Sequence, residues 1–426
     1  MDTKLETQAP NLFRNNRKAV EIGNAFWEES ERNELAGIVA ELQDGRLRTA
    51  DGHEFVNFSC CSYLDLDSHP KVIEGAVEAL RRYGVLDHCI PRARVQLPAL
   101  LEVEESLTEL FGATVVTALS ASAAATGLLP LVASGHLSGS TRPLMVFDKN
   151  CHVSMNLCKP ICADETETRT CRHNDLDYIE DCCRKYRKVC YVCDGSDSLG
   201  GYAPVRELLE LQLRYGLFLY FDDSHSLSAY GERGQGYIRS HLSEVGEDTL
   251  IVATLNKAFG TSGAAVMTGR RSQATLRIIE RFAGPLGFSQ PMNIPAVGAS
   301  LASAEIHRTP ELARLQERLQ HNIRLFDSLV PTAQGGELFP IRLVGVADSE
   351  VVRVGRAVYE AGFYVSPVFF PIVARGTAGL RVMLRAGHTE EEVRKLSAVI
   401  STMLGAARPA EAAAAPTAAS RGSELQ

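Results

Sequence analysis

The chain has 426 residues, 45% hydrophobic and 23% charged, an ordinary globular composition for a large domain with a smaller companion. Its formal net charge of −8 and pI near 5.8 repel phosphate backbones, so nucleic acid is not an expected partner. Residues 1–25 lack the apolar core of a signal peptide and the eleven cysteines are odd in number, which together imply reduced thiols and a cytoplasmic location.

Asn16 to Glu41 reads as a helix with Ala19, Ile22, Phe26 and Trp27 on one side. Gln43 to Phe58 alternates polar and apolar residues around two Asp-Gly turns, a small hairpin expected to pack on the main body or on a partner subunit. Lys71 to Tyr83 reads as a helix closed by Gly84. From about residue 100, apolar strands are expected at Thr114–Leu119, Leu144–Asp148, Val189–Asp194, Leu217–Asp222, Thr249–Thr254 and Ala264–Thr268. Helices such as Arg206–Tyr215, closed by Gly216, separate most of them.

Ala113 to Thr141 contains no Asp, Glu, Lys or Arg, but Gly127, Pro130, Gly135 and Gly139 interrupt it. A buried strand running into a buried helix explains it better than a membrane span. Cys190 and Cys193 read as core thiols alternating across a strand rather than metal ligands, and no metal is expected. After Pro291 a second αβ unit is expected: Phe339–Val344, Val351–Ala361, Phe363–Ser366, Leu380–Leu384 and Glu390–Met403. The fold class is therefore α/β, with a mostly parallel central sheet in a large domain and a smaller C-terminal α/β domain. The expected divisions are an arm at 1–58, the large domain at 59–295, the small domain at 296–405 and a disordered tail at 406–426.

Three strand-end segments carry candidate chemistry. Leu217–His225 delivers Asp222 at the carboxyl end of an apolar strand, where ligands of open α/β sheets bind, with His225 three residues later. A buried carboxylate there suits a protonated pyridine nitrogen; the bland reading is acidic residues capping a turn, and Asp223 competes for the role. Thr249–Gly263 sets a lone lysine, Lys257, between a buried strand and a flexible Phe-Gly-Thr-Ser-Gly turn, as a Schiff-base lysine requires; taken alone it also reads as a surface lysine. Leu119–Gly127 is rich in small residues that admit a phosphate to a helix N-terminus, or equally serve close helix packing.

In this order, the segments resemble the α-oxoamine synthases, a family of fold-type-I enzymes dependent on pyridoxal 5′-phosphate (PLP). The resemblance runs from about Phe55 to Met403 through NFSCCSYLDLDSHP, DKNCHVSMN, RHND, CDGSDSLGGYAPV, FDDSHSLSAYGERGQG, TLNKAFGTSGAAVMTG and GLRVMLRAGHT. It implies that Lys257 forms the Schiff base, Asp222 pairs with the pyridine nitrogen, His225 bonds the ring 3′ oxygen and His152 stacks on the ring. It also implies Ser198 near the ring, Thr254, Ser120 and Ala121 at the phosphate, and Arg381 on the substrate carboxylate. A homodimer is implied, with Ser289 reaching the partner's phosphate.

The chain departs from the family pattern at four places. Cys61 stands where the family has Asn, Asp65 replaces a glycine, and Ser120-Ala121-Ser122 lacks an aromatic residue. CIPRARVQLPALLEVEE replaces a glycine-rich stretch, and its Arg92 and Arg94 are read as receiving an anionic partner. The implied reaction joins an amino-acid-derived carbanion to an acyl thioester, and the departures from the family's substrate segments point to specialised metabolism. Two alternatives remain open: β,γ-elimination and carbon–carbon bond formation on S-adenosylmethionine, and a catalytically silent partner subunit.

Overall fold

A computed structural model of the chain describes residues 13, 15–43, 45–269, 273–370 and 372–407. The tail expected at 406–426 lies outside the described residues from 408 on, and so do the side chains of Ala19 and Ile22. Fourteen strands occur among the described residues. The arm holds β1 (Ala40–Gln43), β2 (Arg46–Thr49) and β3 (Glu54–Asn57). The centre holds β4 (Thr114–Ala118), β5 (Leu144–Asp148), β6 (Thr168–Cys171), β7 (Val189–Asp194), β8 (Phe218–Asp222), β9 (Thr249–Thr254) and β10 (Ala264–Thr268). The C-terminal part holds β11 (Ile341–Gly345), β12 (Phe363–Tyr364), β13 (Ser366–Val368) and β14 (Gly379–Met383).

The seven central strands form one sheet in the order β4-β10-β9-β8-β7-β5-β6. All neighbours are parallel except β10, which runs antiparallel to both β4 and β9. Buried on both faces, β5, β8, β9 and β10 explain the continuous apolar runs of the sequence. Cys190 packs on one face of the sheet and Cys193 on the other, and all eleven cysteines are free thiols. The short edge strand β6, Thr-Arg-Thr-Cys, is half exposed and gives no apolar run, which is why the sequence reading passed over it. The uncharged stretch from Ala113 becomes β4 and the helix Ala121–Ala133; no described helix is long and apolar enough to cross a membrane.

Two corrections concern the ends. The N-terminal helix spans Asn15–Arg32, not Asn16–Glu41, because Glu34 and Gly37 take left-handed φ values of 54° and 67°. The chain turns there so that Leu35 can pack with Phe55 and Tyr359. The strand expected at Phe363–Ser366 is two strands, since the chain changes sheets at Val365. β12 pairs in parallel with β3, completing an arm sheet in the order β1-β2-β3-β12, while β13 forms the edge of a separate sheet ordered β11-β14-β13. Pro367 is tolerated there because an edge strand needs no donor on its outer side.

One close approach sets the position of the segment before the first large helix. The helix Ile294–His307 crosses the helix Pro70–Tyr83 at Gly75 and Gly298, where a Cβ on Gly298 would fall 2.1 Å from the Gly75 carbonyl oxygen. His307, at the end of the same helix, is buried between the Ser303 carbonyl and the Ser228 hydroxyl, each 2.8 Å away. Burial pushes His307 down to about 4, and burial likewise pushes His388, stacked on Phe58, down to about 3.

Both histidines are neutral in the fold and take up protons only on unfolding, so their contribution is present at neutral pH and lost as pH falls from the ordinary histidine range towards 4. Urea unfolding at pH 7 and pH 5 should show a loss of about 2 kcal/mol per histidine at the lower pH. Replacing His307 with Gln should remove about half of that difference.

Candidate active site

The carboxyl ends of β7, β8 and β9 converge on one cleft. β7 ends at Asp194 and β8 at Asp222, which are paired in register. Asp222 is buried, and its Oδ1 accepts from the Ser224 amide at 3.1 Å. Asp194 Oδ2 accepts from the His152 amide at 2.8 Å, and burial, then the neighbouring Asp222, push its carboxyl well above the usual carboxylate range. Beyond β8 the chain turns so that His225 lies buried, with Nε2 2.8 Å from the Lys257 amine and Nδ1 2.7 Å from the Tyr63 hydroxyl. Burial and the charges of Lys257 and Arg381 hold His225 well below the usual imidazole range.

Lys257 follows β9 in a tight loop closed by the amide of Gly260 on its own carbonyl, 2.9 Å away. Gly260 has φ +78°, and a Cβ there would meet the Leu66 backbone at 2.4 Å, so only glycine lets the loop pass so near. The lysine keeps an accessible edge, yet its amine is sheltered enough that burial lowers its pKa, against the opposing pull of Cys61, Asp222 and Asp194.

The other predicted residues fall as follows. His152 caps the short helix Val153–Asn156, with Nδ1 2.9 Å from the Ser154 hydroxyl; burial lowers its pKa while the charge of Asp222 opposes that shift. Arg381, on β14, donates to the Ser198 carbonyl at 3.3 Å. Its Nε is buried without an acceptor, and no described carboxylate pairs with it. Ser120 caps the helix Ala121–Ala133 by accepting from Ala123, and no described residue accepts from the amides of Ala121 and Ser122. The Thr254 hydroxyl lies 2.6 Å from Asn256 Oδ1 and 3.2 Å from the Gly263 carbonyl, so its proton is engaged within the loop. The Cys61 thiol donates to Met383 sulfur at 3.5 Å. Ser289 ends the helix Gly284–Phe288 and donates to Gln290, contacting none of this cluster within the chain.

Arg92 requires a correction. Its side chain is 1% exposed and paired with both oxygens of Glu104 at 2.9 Å, with a further bond to the Thr117 carbonyl. Its terminal nitrogens are engaged by Glu104 and Thr117 and it is not presented to an anionic ligand, whereas Arg94 is exposed. Two residues were missed. Asp194 had the same signal as Asp222, an acid ending an apolar strand; Tyr63 stood inside the matched CSYLDL segment. Asp65 is explained: it adopts φ 56°, as the replaced glycine would, and its carboxylate accepts from Arg385 and from the Gly387 amide.

The family model described as aminotransferase class I and II matches residues 53–400. An 8-amino-7-oxononanoate synthase of Nitrosomonas europaea is 32% identical over 363 residues, covering 83% of this chain and 90% of the relative. The chain belongs to this family, in its α-oxoamine synthase branch. A second 8-amino-7-oxononanoate synthase, of Alkaliphilus metalliredigens, is 26% identical and covers 80% and 86%. Among solved structures, serine palmitoyltransferase of S. paucimobilis with a bound PLP–myriocin adduct superposes with a TM-score of 0.80 at 20% identity, covering 92% of this chain and 99% of that one. It shows the same fold.

Members of this branch are PLP-dependent transferases, and the residues present fit that cofactor. An α-oxoamine synthase needs an amine, an acid beneath the ring nitrogen and an anion-binding helix end. Here the sheltered Lys257 amine, the buried Asp222 carboxylate and the open amides of Ala121 and Ser122 follow β9, β8 and β4 of one sheet, with β10 between β4 and β9. Arg381 has only the Ser198 carbonyl as a described acceptor, which leaves its charge without a carboxylate partner.

Arg92→Met should cost about 3 kcal/mol or more in urea unfolding, because it strands the Glu104 carboxylate. Arg94→Ala should stay within about 0.5 kcal/mol. A large KM effect with unchanged stability for Arg92→Met would restore the substrate-binding reading.

Proposed function

We propose that the enzyme joins an amino-acid-derived carbanion to an acyl thioester with formation of a carbon–carbon bond. The observation that carries this reading is the 2.8 Å contact between Lys257 and His225 beside an arginine that has no carboxylate partner. PLP, when bound, supplies an electron sink for charge developing at the amino acid's α-carbon. Lys257 would hold it, Asp222 would face its ring nitrogen and His152 its ring, while Ser120, Ala121 and Thr254 would lie on the phosphate side.

The remaining roles follow from the side chains. Arg381, fixed by the Ser198 carbonyl, receives the amino acid's carboxylate and so orients the bond to the departing α-proton. Lys257, its pKa lowered by burial, takes up that proton at Nζ as a general base. His225 remains neutral and holds hydrogen bonds rather than charge. Cys61, against Met383, contributes a less polar wall than the family's Asn and favours an apolar amino-acid or acyl group beside it.

We place the enzyme in the cytoplasm as a homodimer. The exposed apolar side chains Leu86, Phe282 and Phe288, the last beside Ser289, support a second copy covering this edge. The reading based on S-adenosylmethionine drew on two arginines, and Arg92 is committed to Glu104.

Added PLP should give the full chain a visible absorption band that Lys257→Ala abolishes. Glycine, serine and alanine should perturb the band, and an acyl-CoA should then release free CoA, measured by chromatography. Arg381→Ala should raise KM for the amino acid by about 10- to 100-fold, the scale of one lost charge-assisted hydrogen bond. A response to S-adenosylmethionine alone, with no CoA released from any acyl-CoA, would overturn the proposal.

A further inference from the structure

Tyr63 is fully buried, and nothing in the assignment above gives it a role. Its hydroxyl lies 2.7 Å from His225 Nδ1, while the other ring nitrogen, Nε2, lies 2.8 Å from the Lys257 amine. The backbone of the tyrosine is fixed at both its amide and its carbonyl. Its amide donates to the Cys61 carbonyl at 2.9 Å, and its carbonyl accepts from Ala386, just beyond β14, at 2.8 Å. The Phe339 ring packs near His225 on a further side, leaving the imidazole little freedom to turn.

Two proton arrangements are compatible with these distances. In the first, the Tyr63 O–H donates to Nδ1, so Nε2 carries the ring proton and donates to the lone pair of the Lys257 amine. In the second, Nδ1–H donates to the Tyr63 oxygen and Lys257 donates to Nε2. The second leaves the phenol proton to the Cys61 thiol, a weak sulfur acceptor. The first gives both the phenol and the imidazole N–H a nitrogen acceptor. Burial, which holds the Tyr63 proton on its oxygen, and the lowered pKa of Lys257 both agree with it.

We infer that Tyr63 is a positioning residue that fixes His225 as the Nε2–H tautomer, so that the imidazole presents one constant donor into the cleft. The inference rests on the proposed placement of PLP beside His225, but the tautomer itself belongs to the protein alone. A fixed N–H aimed into the cleft favours a deprotonated oxygen or nitrogen of whatever binds there.

The test uses Tyr63→Phe, which removes one oxygen and keeps the ring that fills the buried site. In full chain labelled with 15N-histidine and free of PLP, wild-type His225 should show a protonated Nε2 and a bare Nδ1; Tyr63→Phe should show a mixture. With PLP added, the pH midpoint of the visible band should rise by about one unit or more in Tyr63→Phe, the scale of one lost hydrogen bond in a buried site. kcat should fall while KM for the amino acid stays unchanged. Within a His225→Asn background, Tyr63→Phe should add no further shift.

An unchanged tautomer and midpoint in folded Tyr63→Phe, or additive shifts in the double variant, would overturn the inference. Should Tyr63→Phe fail to fold, a wild-type spectrum showing Nδ1–H decides against it and one showing Nε2–H supports it. A wild-type chain that takes up no PLP sinks the proposed function instead, and the tautomer measurement still judges Tyr63.

Discussion

Two carboxylates end neighbouring strands of the central sheet side by side, and much of the cleft answers to that juxtaposition. Asp194 and Asp222 are paired in register, and burial together with the neighbouring charge of Asp222 pushes the Asp194 carboxyl well above the usual carboxylate range. Lys257 is the cation whose charge Asp194 feels, and the charge of Asp222 is felt in turn at Lys257 and His152. Their arrangement leaves the lysine amine with a lowered pKa and Arg381 with a carbonyl as its only described acceptor. A protein selected for stability alone would pair these charges off; keeping them apart and partly unsatisfied is the mark of a binding site.

The surroundings make that arrangement rigid. The Gly75–Gly298 crossing brings one helix hard against another, and Gly260 lets the lysine loop touch the Leu66 backbone. Asp65 then ties the same segment to Arg385 and Gly387 at the far side of the cleft. Arg92 does comparable work below, joining its loop to the helix Pro98–Phe111 and to β4 through Glu104 and Thr117. Charged residues near the cleft are thus of two kinds: those paired with an opposite charge, such as Arg92 and Asp65, and those without a described carboxylate partner, such as Arg381.

The central sheet was legible because β5, β7, β9 and β10 are mostly apolar runs bounded by turns, and their limits matched the sequence pattern. β6 was not, since an edge strand of Thr and Arg carries no burial signal. The split at Val365 was equally hidden, because which sheet a strand joins depends on partners distant in sequence. In the cleft, Lys257, Asp222 and His225 stood out by position at strand ends. Arg92 misled because a buried arginine and a ligand-binding one look alike until Glu104, twelve residues on, is seen to claim it. Asp194 was passed over because only the register of β7 and β8 sets it beside Asp222.

The pairing of β3 with β12 joins segments about three hundred residues apart. On the ribosome, the arm's third strand therefore emerges with an open edge and stays so until nearly the whole chain has been made. The central sheet, whose strands lie between them, has time to form first, and the arm closes last, over an already assembled core. A nascent chain stalled before Phe363 would carry that bare edge exposed, and it is the species that chaperones would be expected to hold.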